Sequence, residues 1–346
     1  MILIYGVTGY TGRLVLEECL ASGLRPVLAG RDAEAVRAIA APLGLESRTA
    51  ALDDTAALDA ALAGATVVIH CAGPFARTSR RMADACLRNK VHYLDITGEI
   101  AVFESLARRD AEAKAAGVML LPGAGFDVVP SDCLAAYLKK RLPTATSLVL
   151  AFYGGSCLSR GTATTMAENA GGPGAIRRGG RIVPVPPAWR TRVVDFGSKQ
   201  RLTMTIPWGD VSTAFYSTGI PDIEVYAAVT PSSVRMMRLS RLVGPILRTA
   251  WVRRQLVKAV NRRPAGPSAE ARARGRAQLW GEVRDAAGHV AARLETPDGY
   301  TLTAKTAVLA AFAVLEGRAV AGFQTPSRAF GADFILSVPG TTRTDL

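Results

Sequence analysis

The residues whose types and spacing suggest chemistry come first in the chain. Gly6-Val7-Thr8-Gly9-Tyr10-Thr11-Gly12 follows an apolar run at 1–5 and precedes a helix-compatible stretch at 13–20. A strand, a glycine-rich turn and a helix in that order form a phosphate cradle. Gly6 permits the tight turn, Gly9 lets backbone N–H groups approach a pyrophosphate, and Gly12 lets the helix close on the strand. Thr8, Tyr10 and Thr11 fill the rest of the turn. The spacing is G-x-x-G-x-x-G rather than G-x-G-x-x-G. Glycine spacing alone is a weak signal; its place between strand and helix strengthens it.

A dinucleotide at this cradle would meet three further groups. Ala29-Gly30-Arg31 ends the second strand, where an acid would select a free ribose 2′-hydroxyl. Arg31 instead offers a positive fork to a 2′-phosphate, so the expected cofactor is NADP(H). Asp53, after the third strand, is placed to accept from the adenine amine, or is a plain surface acid. Cys71-Ala72-Gly73-Pro74, after the fourth strand, is small enough for ribose and pyrophosphate to pass closely. Asp32 and Asp54 read as helix caps.

Hydride transfer from a nicotinamide needs positioning and often one proton donor. Donors should lie at the carboxyl ends of the strands. Asp95, Thr97 and Glu99 follow the fifth strand, and Asp127 sits in the turn after the sixth. Asp127 could donate a proton if burial raises its pKa, or could instead hold an interdomain turn. Asp95 could equally be a structural acceptor. Tyr216, with Tyr153 and Thr162, is the candidate from the second half of the chain. His70 lies inside an apolar strand and reads as core, and Cys71 has no neighbouring base. Three histidines and five scattered cysteines (19, 71, 86, 133 and 157) give no metal or disulfide pattern, which suits a reducing cytoplasm.

These groups need a scaffold. Strands are expected at 1–5, 25–30, 48–52, 66–72, 91–96 and 118–122, with helices at 13–20, 32–43, 55–62, 79–89 and 102–116. Six β/α repeats imply a doubly wound parallel sheet. After residue 122 the pattern changes. Helices are expected at 129–141 and 303–315, with another starting near 161. Strands are expected at 147–153, 181–185, 190–196, 201–206 and 222–229, and a hairpin at 278–285 and 289–296. The fold class is α/β, an N-terminal Rossmann domain (1–125) with a second, mixed α/β substrate domain (126–346). Residues 171–180 (GGPGAIRRGG) and 262–276 read as loops.

The chain has 346 residues, enough for two cores, and a net charge of +13. Most of that charge is local: 235–276 holds twelve Lys/Arg against the single acid Glu270. Within 234–260, Leu239, Leu242, Ile246, Ala250, Leu256 and Val260 recur near helical spacing around Trp251, with Pro245 expected to split the segment into two helices. The segment could be a solvated helix pair, or could meet an anionic membrane surface or an acidic carrier protein. Nucleic acid is disfavoured, since no reader motif accompanies the charge. No secretory leader or membrane span is expected, so the chain is placed in the cytoplasm, with peripheral membrane association open.

Several motifs together resemble one family. They are GVTGYTGR (6–13), AGR (29–31), HCAGPF (70–75), YLDITGE (93–99), PGAGFDVVPSD (122–132), PWGDVSTAFYSTGIPDIEVY (207–226) and GFQTPSRAFGADF (322–334). The chain resembles the saccharopine dehydrogenase-like NADP-binding oxidoreductases, closest to their trans-acting enoyl reductase branch. The resemblance implies NADP(H) binding and hydride transfer to a C=C or C=N bond of a hydrophobic or carrier-linked substrate. It also implies that 217–221 is a loop near the nicotinamide, and that a C-terminal segment (about 300–346) packs back at the domain junction. The chain ends soon after TPSRAFGADF, which counts against saccharopine chemistry itself. A non-catalytic NADP sensor and a lipid-associated scaffold remain the alternatives, and a homodimer is compatible with either.

Overall fold

The computed structural model describes residues 1–154, 159–247 and 249–346; the side chains at 242, 243, 245 and 246 also lie outside the description. Cys157 and Arg248, and the side chains of Leu242, Pro245 and Ile246, are therefore outside the described residues. The chain forms two compact units. One is Met1–Val129 with Tyr300–Ala329, and the other is Pro130–Gly299 with Phe330–Leu346.

The first unit alternates β1 (Ile2–Tyr5), α1 (Tyr10–Ala21), β2 (Val27–Gly30), α2 (Ala33–Ala40), β3 (Ser47–Thr49), α3 (Thr55–Leu62), β4 (Val67–His70), α4 (Phe75–Asn89), β5 (His92–Asp95), α5 (Ile100–Ala107), α6 (Asp110–Ala116) and β6 (Met119–Leu121). Its strands pair in parallel in the order β3-β2-β1-β4-β5-β6, and Gly322–Phe323 adds a seventh strand beside β6. The central strands β1, β2 and β4 are buried throughout, as apolar runs without alternation require in a sheet covered on both faces. The order reverses beside β1, and ligands of open α/β sheets bind outside the carboxyl ends at such a point.

Caps fix where the helices begin. Asp32 accepts from the Ala35 N–H and Asp54 from the Ala57 N–H, each at 3.0 Å. The expected single helix at 102–116 is two, α5 and α6. The break falls at Arg108–Arg109, where Arg109 leaves helical geometry and pairs with Asp84 and Glu112.

The second unit contains α7 (Val129–Arg141), β7 (Ser147–Gly154), α8 (Arg160–Glu168), β8 (Gly174–Arg178), β9 (Arg181–Val185), β10 (Thr191–Asp195), β11 (Gln200–Thr205), α9 (Asp210–Thr218), β12 (Asp222–Ala228), α10 (Pro231–Leu247), α11 (Ala250–Asn261), α12 (Ala269–Arg274), β13 (Arg276–Arg284) and β14 (His289–Pro297). The chain then runs through α13 (Gly299–Leu315), β15 (Gly322–Phe323), α14 (Pro326–Phe330) and β16 (Thr342–Asp345). The large sheet is mixed, ordered β10-β11-β12-β7-β13-β14-β16, with β12 and β7 parallel and the other pairs antiparallel. The hairpin turn before Gly288 forms as expected, the Asp285 carboxylate accepting from the Ala287 and Gly288 N–H groups.

Four expectations fail here, each for a local reason. Residues 171–180 are not a loop throughout, because β8 pairs with β9 and Arg177 anchors it. The buried Arg177 donates to the carbonyls of Val211 and Gly180 and lies 4.2 Å over the Phe215 ring. Residues 262–276 contain α12, started by the Ser268 hydroxyl accepting from the Ala271 N–H. The segment at 234–260 forms two helices as expected, but the break is not at Pro245: α10 runs on to Leu247, and α11 begins at Ala250. Ser217 and Thr218 belong to α9 rather than to a loop, and Gly219 ends that helix in left-handed geometry at φ +69°.

Candidate functional site

The glycine turn is tightly constrained. Gly6 sits at φ +91°, and a Cβ there would lie 2.8 Å from the Ala72 nitrogen and 2.9 Å from its Cβ. A Cβ on Gly12 would lie 2.4 Å from the Gly6 carbonyl oxygen. These two glycines let the turn, α1 and the strand-ending Cys71-Ala72 pass at backbone distance. Gly9 differs: it is exposed, and its Cβ would meet only the Gly6 oxygen, at 3.3 Å. Gly9 is also the N-cap of α1, so it provides no side-chain cap, and the first turn holds no acid. An uncapped N-terminus opening beside a smooth glycine surface is suited to a phosphate anion.

Arg31 directly follows β2 and Asp53 lies four residues past β3, both exposed, and their charges act in opposite directions on the Tyr5 hydroxyl. That hydroxyl donates to the Ala50 carbonyl at 2.9 Å, and burial holds its pKa up. Arg31 makes no hydrogen bond or ion pair among the described residues, so its fork is available to an anion. Near the other side of the turn, the ring of Tyr10 meets Tyr300 edge-on at 5.3 Å. α13 is fastened to this same unit. Lys305 pairs with Glu18 at 3.0 Å, Thr306 donates to the Ala124 carbonyl at 2.8 Å, and Thr303 accepts from the Phe126 N–H at 3.0 Å.

The ends of β5 and β6 are joined by Asp95. Its buried carboxylate accepts from the Tyr93 hydroxyl at 2.5 Å and from the Thr97 and Gly123 N–H groups at 2.9 Å each. Burial raises its pKa to about 6 against the lowering effect of those donors. Glu99 accepts from the Phe75 and Ala76 N–H groups at 2.9 and 3.0 Å, which makes it the cap of α4. Glu99→Ala is expected to cost about 1–2 kcal/mol of stability, read as a lower denaturant midpoint. A neutral result would mean that water caps α4 equally well.

Asp127 is the contrasting carboxyl. It has no hydrogen-bond or ion-pair partner among the described residues, and desolvation alone pushes its pKa up to about 7. It lies against Gly98: a Cβ there would be 2.6 Å from its Oδ2. Gly98 and the capping role of Glu99 are the features sequence reasoning missed, although both lie in the YLDITGE motif. His70 is core, as expected, packed against Tyr5, Phe75 and Tyr93, and burial lowers its pKa to about 3. The Cys71 thiol is pushed upward by burial, which disfavours the thiolate.

In the second unit, Tyr216 lies on α9 with its ring 5.8 Å from Phe215. Tyr153 accepts from Arg201 at 2.8 Å, and Thr162 belongs to the cap of α8 through Ser159. Asp132 and Ser217, and Ser131 and Asp210, stitch α7 to α9. No group of acidic, histidine or cysteine side chains that could hold a metal occurs among the described residues.

Residues 2–121 match the family model described as the saccharopine dehydrogenase NADP binding domain. This segment is a saccharopine dehydrogenase-type NADP-binding domain. The curated relatives extend the likeness. A trans-acting enoyl reductase of Mycobacterium leprae (strain TN) is 33% identical over 149 residues, 41% of this chain and 36% of the relative. One from Mycobacterium tuberculosis (strain ATCC 25618 / H37Rv) is 30% identical over 182 residues, 48% of this chain and 44% of the relative. These matches thus span less than half of the relatives' length. Among solved structures, apo saccharopine dehydrogenase (L-Glu forming) from Saccharomyces cerevisiae shares the fold over 100% of this chain and 99% of its own. The TM-score is 0.66 and the identity 12%. Homospermidine synthase from Legionella pneumophila, solved with NAD, covers 97% of this chain and 88% of its own, with TM-score 0.63 and 9% identity.

The cradle of the NADP-binding domain fits its dinucleotide on its own geometry, since side chains at Gly6, Gly9 or Gly12 would occupy or distort it. Arg31 carries a specific expectation. Arg31→Asp should weaken NADPH binding by about 100-fold and NADH binding little, since it removes a bidentate phosphate partner and adds a repelling charge. Equal loss for both nucleotides, by calorimetry, would remove the 2′-phosphate role.

Proposed function

We propose that the protein is an NADPH-dependent reductase acting on a C=C bond of a hydrophobic or carrier-linked acyl substrate, with Asp127 as proton donor. The observation that carries this reading is the unpartnered Asp127 carboxyl with a pKa near 7. It stands over Gly98, beyond the carboxyl end of β5 in the sheet that also carries the glycine cradle. NADPH, when bound, supplies the hydride. The residues of the chain do the rest. The cradle holds the pyrophosphate, Arg31 the 2′-phosphate, and Asp53 the adenine amine. Cys71-Ala72-Gly73-Pro74 gives the ribose room. Asp95 positions the loops at 97 and 123 rather than exchanging protons, because its oxygens are already engaged by three donors. Protonated Asp127 delivers its proton to the carbon next to the activating carbonyl and is recharged from solvent.

The names of the relatives favour C=C over C=N reduction, since both are called trans-acting enoyl reductases. A neutral carboxyl could also protonate an imine nitrogen, so substrate class is tested directly. Purified protein with NADPH should consume 2-enoyl thioesters and leave cyclic and open imines untouched. The reverse preference would move the reading to imine reduction. Turnover of neither, with tight NADPH binding retained, would leave a cofactor-sensing protein.

A further inference from the structure

We infer that α10 and α11 form a docking surface for an anionic lipid membrane. The proposal concerns a face of the second unit and stands independently of the hydride-transfer reading. Three large apolar side chains protrude there: Met236 is 71% exposed, Leu239 64% and Trp251 69%. Met236 and Leu239 are three residues apart and share a helix face, with Arg235 four before Leu239 and Arg238 beside it. On α11, Trp251, Arg254, Gln255 and Lys258 recur at the same spacing, and all four are exposed. No residue of α11 is buried, although the helix rests against α8.

Charge selects the partner. Between Glu224 and Glu270 the sequence contains no acid, while arginines and Lys258 recur throughout. Arg235, Arg238, Arg254, Lys258, Arg262 and Arg263 are all exposed. Protruding Trp, Met and Leu side chains, on helices that also expose long cationic stems, match the boundary between headgroups and acyl chains. There the apolar tips insert and the charges stay at phosphate level. Charge pairing with an acidic carrier protein would use the cations alone, whereas an anionic bilayer takes up the protruding apolar side chains as well.

The test is co-sedimentation of the full-length protein with vesicles of phosphatidylcholine alone, or of phosphatidylcholine with about one-third phosphatidylserine. We expect pelleting only with the mixed vesicles, abolished by high salt, with a blue shift in tryptophan emission. Arg254→Glu with Lys258→Glu, and separately Trp251→Ala with Leu239→Ser, should each weaken vesicle binding about tenfold or more while NADPH affinity stays unchanged. An unchanged helical circular dichroism spectrum and melting temperature show that these variants fold. Failure of the wild-type protein to pellet would overturn the proposal, as would equal pelleting with neutral vesicles or unchanged pelleting by both variant pairs. A dimer of the wild-type protein that Trp251→Ala with Leu239→Ser converts to monomer, without vesicle binding, would assign the patch to a second copy and also overturn it.

Discussion

Gly9→Val is expected to abolish NADPH binding, by about 100-fold or more in Kd, while leaving the fold intact. The three cradle glycines differ in what an added side chain would meet. At Gly6 a side chain would collide with Ala72, and at Gly12 with the Gly6 carbonyl and Val7, so substitution there disturbs folding as well as binding. At Gly9 the backbone is extended, at φ −77° and ψ 163°, which valine accepts readily. The new side chain would project from an exposed position, with only the Gly6 oxygen near it, into the space where the pyrophosphate must approach α1. Binding is lost because the phosphates are held off the N–H groups. Thermal unfolding at the wild-type temperature combined with unmeasurable NADPH affinity is the expected pair of results. Wild-type affinity in Gly9→Val would place the phosphates elsewhere.

Asp127→Asn should lower the rate of reduction by about 10²–10⁴-fold, the range for losing a general acid, with NADPH affinity unchanged. The same substitution should stabilise the protein at alkaline pH. The folded pKa of Asp127, about 7, exceeds the unfolded value of about 3.9. Its stabilising contribution is therefore complete below the unfolded pKa. It is lost progressively as pH rises from about 4 through about 7, because the ionised carboxylate is desolvated in the folded state. Asparagine does not ionise, so the gain in melting temperature should be present at pH 8 and absent at pH 4. The wild-type rate should also fall as pH rises through about 7, since the donor must be protonated. A stability gain without loss of rate would make Asp127 a buried liability and not a donor.

Much of the first unit was legible in the residues. Apolar runs marked β1, β2 and β4, Asp32 and Asp54 announced their helices, and the glycine turn falls between β1 and α1 as its spacing implied. The parallel pairing follows from the β/α alternation. What escaped the sequence depends on contacts between distant segments. β15 is two residues long and is defined only by its pairing with β6. Glu99 caps a helix that begins 24 residues earlier, at Phe75, and no local pattern connects the two. β8 lies in a stretch rich in glycine and arginine, and its order depends on Arg177 reaching Val211 and Phe215. Local rules foresaw the caps and the alternating strands; the buried arginine and the break between α5 and α6 required tertiary pairing.

The cradle and Arg31 together are the centre of this account, and one titration tests them. Calorimetric titration of the purified protein with NADPH and with NADH should show tight NADPH binding at one site per chain and far weaker NADH binding. Binding of neither nucleotide, or equal binding of both, would contradict it.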